Sequence, residues 1–471
     1  MQLNKWRVLA LAIAAATVQH AFASEEVTSL APVMEGSSQA KSNGFVEDST
    51  LHLESRNVAF YKNYKNTDPG TQNYINEWGQ AELLTFTSGY SQGVIGFGVD
   101  AFANGAVRLN GGGGTGGSQV FPTNASHCDD ITGSCQAQDG YGMAGGAVKM
   151  RISETELKVG TLMPQSPVFG TWDGYLMPQH ANGGLFSSHE IKNLALQGGH
   201  FTSGNADNST NHDGNLGTAY GWTRVDSATY VGGDYTFSDN LSGGLHAANY
   251  EDVWNQYYAD LYHHFNISDG LSLATSLNYY KTDDAGDARA GKINNDAYSI
   301  ALKLTAGAHS LTVAHQRING NTPFDYLGIS GQGGEHPGSY VGAGSIWLAN
   351  SSQWADFNAP GEKSYKVQYD LDAGALGVPG LSFMVRYVTG KDADGTGADA
   401  HGAYSFENTI RNGEEWERDV EVHYVVQEGV AKDLSFKIRQ ATYRGNEDIS
   451  HNSGADEDEI RIITSYPLNI F

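Results

Sequence analysis

Residues 163–188 have the sequence MPQSPVFGTWDGYLMPQHANGGLFSS. Three prolines and four glycines predict that neither a helix nor a paired strand runs through this stretch. Trp172, Tyr175 and other large apolar side chains make it unlike a solvated loop, and strand-like segments lie on both sides, at 156–162 and 189–201. A long aromatic loop needs a surface to pack on. The inside wall of a large β-barrel would provide one, so the rest of the chain should contain its strands.

The N-terminus has the pattern of a secretory signal peptide. Lys5 and Arg7 precede an apolar run, and Ala21-Phe22-Ala23 matches a small-x-small cleavage site. The run is too short to span a bilayer as an anchor. The predicted organisation is a signal peptide at 1–23, a flexible polar lead-in at 24–44 and an outer-membrane β-barrel at 45–471, with its constriction loop at about 163–188.

Composition narrows the function classes. The chain has 53 acidic and 28 basic residues and a formal net charge of −25, which argues against nucleic-acid binding through a general basic surface. After the signal peptide no apolar run approaches the ~18 residues that a transmembrane helix needs. Neither property excludes a membrane β-barrel, because the strands of such a barrel alternate apolar and polar residues.

The chain has two cysteines, Cys128 and Cys135, close together in a polar loop. In an exported protein they are expected to form a disulfide. A metal or redox site would need a different spacing or nearby ligands, and His127 alone is weak support for one. No cofactor or metal motif occurs elsewhere in the chain.

From residue 45 onward, apolar and polar residues alternate with a period of two, and turn residues interrupt the pattern. In the segment 434–439, for example, Leu434, Phe436 and Ile438 oppose Ser435, Lys437 and Arg439. Such strands suit either a soluble sandwich or a barrel whose apolar face meets lipid. Short polar links alternate with long polar segments, as in outer-membrane barrels. The sequence predicts an all-β, antiparallel transmembrane barrel of roughly 16–18 strands.

The polar face of the predicted strands carries most of the strand-borne positive charge. A row of Arg and Lys along a narrow channel attracts anions, and arginine can hold a carboxylate with two hydrogen bonds. The alternative to an anion-attracting row is an ordinary polar lumen in which these cations form ion pairs with Glu54, Asp100 or Asp370. The predicted row, or ladder, consists of Arg56, Lys62, Arg108, Lys149, Arg151, Lys158, Lys303, Lys366, Arg386, Lys437, Arg439 and Arg461.

The aromatic loop at 163–188 is the expected constriction. Folded inward, it would place Asp173, Tyr175 and His180 opposite the cations, where opposed charges orient a zwitterion or a small organic acid. The alternative is an outward-facing surface loop, which its apolar content disfavours.

Several long motifs resemble the OprD family of outer-membrane carboxylate channels. They include LKVGTLMPQSPVF and DGYLMPQHANGG around the aromatic loop, and NGNTPFDYLG at 319–328. Others are SIWLANSSQWADFNAPGEKSYKVQYDLD at 345–372 and WERDVEVHYVVQEGVAKDLSFKIRQATYR at 416–444. The resemblance covers nearly all of the chain beyond the signal peptide.

The resemblance implies an 18-stranded, mostly monomeric barrel, narrowed by inward-folded loops, in which a basic ladder guides carboxylate-bearing nutrients. It adds Asp325 and Tyr326 to the constriction formed by Asp173 and Tyr175. It also implies contact with outer-membrane lipid and lipopolysaccharide, delivery by the barrel-assembly machinery, and a monomer or weak oligomer. The matching motifs place the ladder at Lys149, Arg151, Lys158, Lys366, Arg386, Lys437 and Arg439.

Three other functions are compatible with an exported β-rich chain. An outer-membrane enzyme is disfavoured because the chain has no HExxH and no GxSxG motif. A secreted adhesin or carbohydrate-binding domain would need a sequestered core that the alternating cations disfavour. A general, non-selective porin remains the nearest alternative.

Overall fold

The structure is a computed structural model that describes residues 39–65, 67, 70, 72–110, 115–128, 135–331, 340–342, 344–449 and 456–471. The predicted signal peptide and the lead-in as far as residue 38 lie outside the described residues. No helix in the described part is long and apolar enough to cross a membrane.

The described chain is almost entirely β-structure. Its described helical segments are short, namely the 3₁₀ turns Gln39–Lys41, Ala373–Leu376 and Ser405–Thr409 and a single helical stretch at 447–449. The strands in chain order are β1 Thr50–Tyr64, β2 Tyr74–Thr87, β3 Ile95–Asn110, β4 Thr123–Cys128, β5 Cys135–Ala137, β6 Gly140–Ile152, β7 Thr155–Leu162, β8 His180–Ser188, β9 Leu194–Asn205, β10 Leu216–Thr218, β11 Arg224–Val225, β12 Ala228–Ser238, β13 Leu241–Tyr250, β14 Trp254–Ser268, β15 Leu271–Asp284, β16 Asn294–Ala306, β17 His309–Gly320, β18 Leu327–Ser330, β19 Tyr340–Val341, β20 Lys363–Asp372, β21 Leu381–Ala393, β22 Gly413–Val425, β23 Ser435–Gly445 and β24 Glu457–Asn469.

Within the described residues, eighteen of these strands form one sheet in which each strand pairs antiparallel with its neighbours. The sheet closes because β1 pairs with both β2 and β24, from His52 opposite Asn469 to Tyr64 opposite Glu457. The six other strands, β4, β5, β10, β11, β18 and β19, lie in the connections. The predicted all-β antiparallel barrel of about 18 strands is confirmed.

The two ends of the barrel differ in their connections. At one end, the turn end, the links are short, such as the two-residue link between Ser238 and Leu241. At the other end, the loop end, long segments such as 321–362 connect the strands. This asymmetry is the one expected of an outer-membrane barrel.

The two faces of the strands differ as the alternation predicted. On β6, Val148 and Ile152 are exposed on the outer surface, whereas Lys149 and Arg151 are buried on the inner face. On β23, Phe436 and Ile438 are exposed while Arg439 is buried. The apolar face therefore points outward, and the cationic face points into the barrel.

The aromatic loop folds into the barrel and crosses its interior. It comprises residues 163–179 and is called the crossing loop from here on. The Tyr280 hydroxyl on β15 donates to the Pro167 carbonyl at 3.1 Å, and Arg56 on β1 donates to the Tyr175 carbonyl at 3.1 Å. These two strands lie on nearly opposite walls of the closed sheet. Val168 and Leu176 are completely buried, so the loop packs between the two walls.

The end of this loop differs from the prediction. The loop ends at Gln179, because His180–Ser188 forms β8, paired with β7 and β9. Gly183 and Gly184, which suggested a loop, lie in this strand. Strand pairing needs only the backbone, and a Cβ on Gly183 would lie 2.0 Å from the His200 carbonyl oxygen, so the close approach of β9 requires glycine. The next segment, 189–193, is a turn rather than strand.

Two smaller features lie at the ends of the barrel. The last part of the predicted lead-in contacts the barrel: Gln39 is buried, its backbone N–H donates to the Ser153 carbonyl at 3.0 Å, and its side chain donates to the Ser91 carbonyl at 2.7 Å. In the β4–β5 hairpin the backbones of Cys128 and Cys135 are opposite each other. Cys135 is disulfide-bonded, and the chain has two cysteines.

The outward face generates a stability prediction. In a membrane, Val148→Arg would place a charge against lipid, and it is expected to destabilise the folded barrel by about 2–4 kcal/mol. Val430→Arg, in a fully exposed turn, is the matched control and should change stability by less than about 0.5 kcal/mol. Urea unfolding in lipid vesicles measures both. Equal stability of the two variants would contradict the assignment of the outer face.

Candidate functional site

Five buried cations line one side of the barrel interior. They occupy inner-face positions on strands that are close neighbours in the closed sheet: β20, β21, β23, β24 and β1. Arg439 and Arg461 are directly opposite each other in the β23–β24 register. This set, the basic wall, consists of Lys366, Arg386, Arg439, Arg461 and Arg56.

Carboxylates hold the guanidinium groups of the basic wall in place. Asp419 on β22 lies 2.7 Å from Arg386 Nη2, and Glu421 on the same strand lies 3.0 Å from Arg439 Nε. Glu459 on β24 lies 2.5 Å from Arg461 Nε. Since close cations repel one another, the interleaved acids allow these arginines to lie side by side.

The wall is tied to the crossing loop through Arg56. Its Nη1 and Nη2 atoms lie 2.6 Å and 3.3 Å from the two carboxylate oxygens of Asp173, while Glu54 lies 3.0 Å from Nε. Two parallel charge-assisted bonds fix both side chains geometrically. Asp173, predicted to face the cations across an opening, is instead bonded to one of them.

Arg461 lies where the wall, the loop and a pocket meet. Its guanidinium carbon is 5.1 Å from the centre of the Tyr175 ring and 5.2 Å from that of Phe60. These distances are typical of cation–π contacts. The pocket is lined by Gln119, Trp172, Tyr175, Tyr220, Tyr326, Val341, Gly342, Ser351, Ser352, Gln353, Trp354, Asp356 and Arg461.

Part of the pocket lining is acidic and phenolic. The Asp356 carboxylate accepts hydrogen bonds from the hydroxyls of Tyr220 at 2.7 Å and Tyr326 at 2.8 Å, and from Ser351 at 2.5 Å. Burial raises the pKa of Asp356 above its ordinary value, although these hydrogen bonds lower it. The pocket lining therefore contains both a cation, Arg461, and a hydrogen-bonded carboxyl, Asp356.

Asp325, predicted to belong to the constriction, has a supporting position. Its carboxylate accepts from the backbone N–H of Tyr220 and Gly221, at 3.1 and 2.8 Å, and from the Tyr404 hydroxyl at 2.8 Å. Burial raises its pKa to about 6, and these donors oppose that shift. Asp325 joins three loops behind the pocket, whereas Tyr326 lines it.

The other predicted ladder residues do not all join the basic wall. Lys149 and Lys158 share Asp100, at 2.6 and 3.0 Å, across the β6–β7 pair. Arg151 lies over the Tyr90 ring at 4.1 Å and donates to Gln39 at 3.1 Å. Arg108 pairs with Asp139, which is almost fully exposed at the loop end. Lys437 is on β23, two residues from Arg439 and nearer the turn end.

Two further predicted residues, His180 and Lys62, are not members of the basic wall. His180 stacks on Phe102, with ring centres 3.9 Å apart, and is buried on β8 rather than facing the cations. Lys62 contacts Glu457 and Glu459 at 3.1 and 3.4 Å and lies 3.4 Å from the centre of the Trp354 ring. The alternative hypothesis, in which lumen cations form ion pairs with Glu54 and Asp100, therefore holds for Arg56, Lys149 and Lys158.

Sequence reasoning missed most of the pocket. Trp354, Tyr220 and Asp356 come from loops whose inward folding has no local signal. The acids on β22, Glu417 and Asp419, alternate with outward residues and follow the same period-two pattern as the cations. That pattern was available in the sequence and would have indicated the acidic half of the wall.

A buried carboxyl lies near Asp173, in the loop 206–227. Asp207 is almost fully buried, and neither of its carboxylate oxygens has a hydrogen-bond partner among the described residues. Burial raises its pKa to about 8, and repulsion from Asp173 adds to that increase. The Tyr141 hydroxyl donates to the Asp207 backbone carbonyl at 2.9 Å, which holds the segment against the wall.

The Arg56–Asp173 pair predicts the behaviour of the crossing loop. Asp173→Asn removes one of the carboxylates that balance the positive charge of Arg56. Breaking such a buried ion pair is expected to lower the free energy of unfolding by about 3 kcal/mol or more. The loop should loosen, so single-channel recordings should show higher mean conductance and more noise. Asp139→Asn, which alters the exposed pair with Arg108, is the control. An unchanged Asp173→Asn channel would mean that other contacts hold the loop.

Asp207 predicts a pH dependence. Its pKa is higher in the folded protein than the ordinary carboxyl value of ~3.9, so its contribution to stability is present at low pH and is lost as pH rises through about 8. Conductance noise should therefore increase above pH 8. Asp207→Asn should remove this response, and Asp213→Asn, at an exposed position in the same loop, should retain it. An identical alkaline response in Asp207→Asn would exclude Asp207 as its source.

The sequence matches the family model described as outer membrane porin, OprD family, over residues 43–470. It is 41% identical to Porin D of Pseudomonas aeruginosa over 471 residues, 100% of each chain. A crystal structure of P. aeruginosa OprD has a TM-score of 0.77 and 40% identity, covering 93% of this chain and 99% of that one.

The crystal structure of P. aeruginosa OpdK with vanillate has a TM-score of 0.74 and 30% identity, covering 90% of this chain and 100% of that one. The sequence match, the identity over the full length and the common barrel all agree with the resemblance seen in the motifs. The chain belongs to the OprD family of outer-membrane porins of Gram-negative bacteria.

Proposed function

We propose that this porin is a selective diffusion channel for small solutes that carry a carboxylate, such as amino acids and organic or aromatic acids. The observation that carries the proposal is the position of Arg461. It lies at the junction of the basic wall, the crossing loop and the aromatic pocket, so a solute that enters past the loop meets a guanidinium inside a narrow, partly apolar space.

The electrostatics of the basic wall support anion guidance. An arginine side chain presents its N–H donors in a planar fork that matches the geometry of a carboxylate. Protein carboxylates fix the direction of each guanidinium, which reduces the conformational cost of binding a solute carboxylate. A solute carboxylate could then bind to Arg461 and to Arg439, which are opposite each other on neighbouring strands. Lys437 would be its next partner, nearer the turn end.

The pocket lining supports a carboxylate attached to a flat or apolar body. Trp172, Tyr175 and Tyr326 provide aromatic surface beside Arg461, and such rings favour stacking on planar groups. OpdK, a relative with the same fold, was crystallised with vanillate, which is an aromatic carboxylate. The Asp356 side of the pocket would accept a hydroxyl or ammonium group on the same solute.

A general, non-selective porin is the alternative function. It would conduct strongly, show weak ion preference and show no block by carboxylates. Single-channel recording across a KCl gradient, followed by addition of vanillate, separates the two. Small conductance, anion preference and vanillate-induced blocks support the proposal, and large conductance without blocks would replace it with the general porin.

We also propose a simple maturation and setting for the chain. Residues 1–23 would be removed on export, and the barrel-assembly machinery would insert the barrel among outer-membrane lipid and lipopolysaccharide. We assign the protein no enzymatic role and no cofactor. Its curated and structural relatives are porins, and the motif absences in the sequence agree with that assignment. N-terminal sequencing of the mature protein tests the cleavage site.

Replacement of two wall arginines tests the ladder. Arg386→Gln together with Arg439→Gln removes two positive charges and leaves their partners Asp419 and Glu421 in the lumen. The reversal potential should therefore move toward cation preference while the barrel remains folded. Arg418→Gln, on the outer face of β22, is the control and should leave the reversal potential unchanged. If the double variant keeps the wild-type reversal potential, the basic wall does not set selectivity.

A further inference from the structure

A segment in the connection between β3 and β6 reaches into the pocket. Residues 115–122, which immediately precede β4 and are called the pocket arm here, include Gln119, which lines the pocket. Phe121 on the same arm is completely buried. A Cβ added to Gly79, on the inner face of β2, would lie 2.5 Å from the Phe121 ring and 2.7 Å from Leu176 Cδ2. The pocket arm therefore lies beside the crossing loop, against the wall at β2.

The backbone of Gln119 has an unusual conformation. Its φ is 72°, in the left-handed region that residues other than glycine, asparagine and aspartate rarely adopt. Among the described residues that line the pocket, Gln119 is the only one other than glycine with a positive φ. Residues held in such conformations are concentrated at functional sites. Glycine would adopt this backbone more readily than glutamine, so the fold by itself does not account for the glutamine side chain.

Buried hydrogen bonds fix the pocket arm on both sides of Gln119. Glu77, on the inner face of β2 and completely buried, accepts a hydrogen bond from the Ser118 hydroxyl. The Ser118 hydroxyl oxygen in turn accepts from the Val120 N–H at 3.1 Å. The Tyr141 hydroxyl on β6 donates to the Val120 carbonyl at 2.9 Å. Gln119 therefore extends from a backbone that is already ordered, which lowers the conformational cost of binding a solute through its side chain.

The Gln119 side chain differs from the other polar side chains of the pocket in its hydrogen bonding. Gln353 donates to Glu459 at 2.8 Å, and three pocket hydroxyls donate to Asp356. Within the part of the chain that the structure describes, the Gln119 side chain makes no hydrogen bond. A glutamine amide offers two N–H donors and one carbonyl acceptor. All of these are therefore available to a solute in the pocket.

An amide of this kind distinguishes solutes by their second polar group. A solute that fills the pocket displaces water from the Gln119 amide. A hydroxyl or carbonyl group on the solute would replace that water as a hydrogen-bond partner, whereas a purely apolar body would leave the amide without one. Because an unpaired buried polar group is costly, a site that hydrogen-bonds one group of a solute discriminates against the analogue that lacks that group.

We propose that Gln119 is a specificity-determining residue of this channel. It selects, among small carboxylates, those whose body carries a second, uncharged polar group such as a hydroxyl or a carbonyl. Arg461 binds the carboxylate of such a solute, and the Gln119 amide binds the second group. This inference rests on the proposed carboxylate function of the same pocket.

Single-channel recording with benzoate and 4-hydroxybenzoate tests this role, because the two carboxylates differ by one hydroxyl group. In the wild type, blocks by 4-hydroxybenzoate should last about fivefold longer than blocks by benzoate, which is the effect expected of one hydrogen bond. Gln119→Gly suits the left-handed backbone and removes the amide. It should abolish most of this difference and leave the duration of the benzoate blocks unchanged.

Two further variants control for the backbone and for the amide. Ser153→Gly replaces another left-handed residue, with a φ of 53°, in the exposed turn between β6 and β7, and it should keep the wild-type ratio of block durations. Gln119→Asn keeps an amide on a residue that tolerates the left-handed region. It should retain a preference for 4-hydroxybenzoate. Heat-modifiable migration in gels verifies that each variant is folded.

Two outcomes would overturn the role of Gln119 alone. One is a Gln119→Gly channel that keeps the wild-type ratio, and the other is a wild type that holds both carboxylates equally long. The carboxylate function would survive either result, because both solutes would still block the channel. A wild type that neither solute blocks would overturn the proposed function and this inference together. If Gln119→Gly does not fold, Gln119→Met, which keeps the length of the side chain without its amide, replaces it in the same comparison.

Discussion

The pairing of β1 with β24 is the contact on which the rest of the molecule depends. A membrane interior offers no water to backbone N–H and C=O groups, so a sheet in lipid is stable only when it has no open edge. The two strands pair from His52 opposite Asn469 to Tyr64 opposite Glu457, although they are the first and last of the chain. Their closure makes one face of every strand an outer surface and the other a lumen wall.

The enclosed lumen then determines how the charges are arranged. Inner-face arginines and lysines on neighbouring strands would repel one another, and carboxylates from β22, β24 and the crossing loop lie between them. The same acids hold the guanidinium groups in fixed directions. The lumen is therefore an ordered array of ion pairs, with its cations concentrated on one side.

The crossing loop connects the closed wall to the channel's narrow part. It contacts β15 through Tyr280 and β1 through Arg56, and its apolar side chains are buried between the walls. Loop segments then meet at Asp325 and Asp356, and Asp356 lines the pocket. The chemistry that a solute encounters thus comes from residues that are far apart in the chain.

The residue pattern alone specifies the β-class, the barrel, the inward direction of Arg386, Arg439 and Arg461, and the aromatic character of the crossing loop. These properties follow from the period-two alternation and from side chains that a solvated loop would not carry. The folded chain is needed to establish that His180–Ser188 is a strand, that Asp173 binds Arg56, that Asp325 bonds to the segment carrying Tyr220, and that Lys149 and Lys158 share Asp100. Strand pairing and ion-pair partners depend on register and loop folding between distant segments, and no local pattern of residues specifies them.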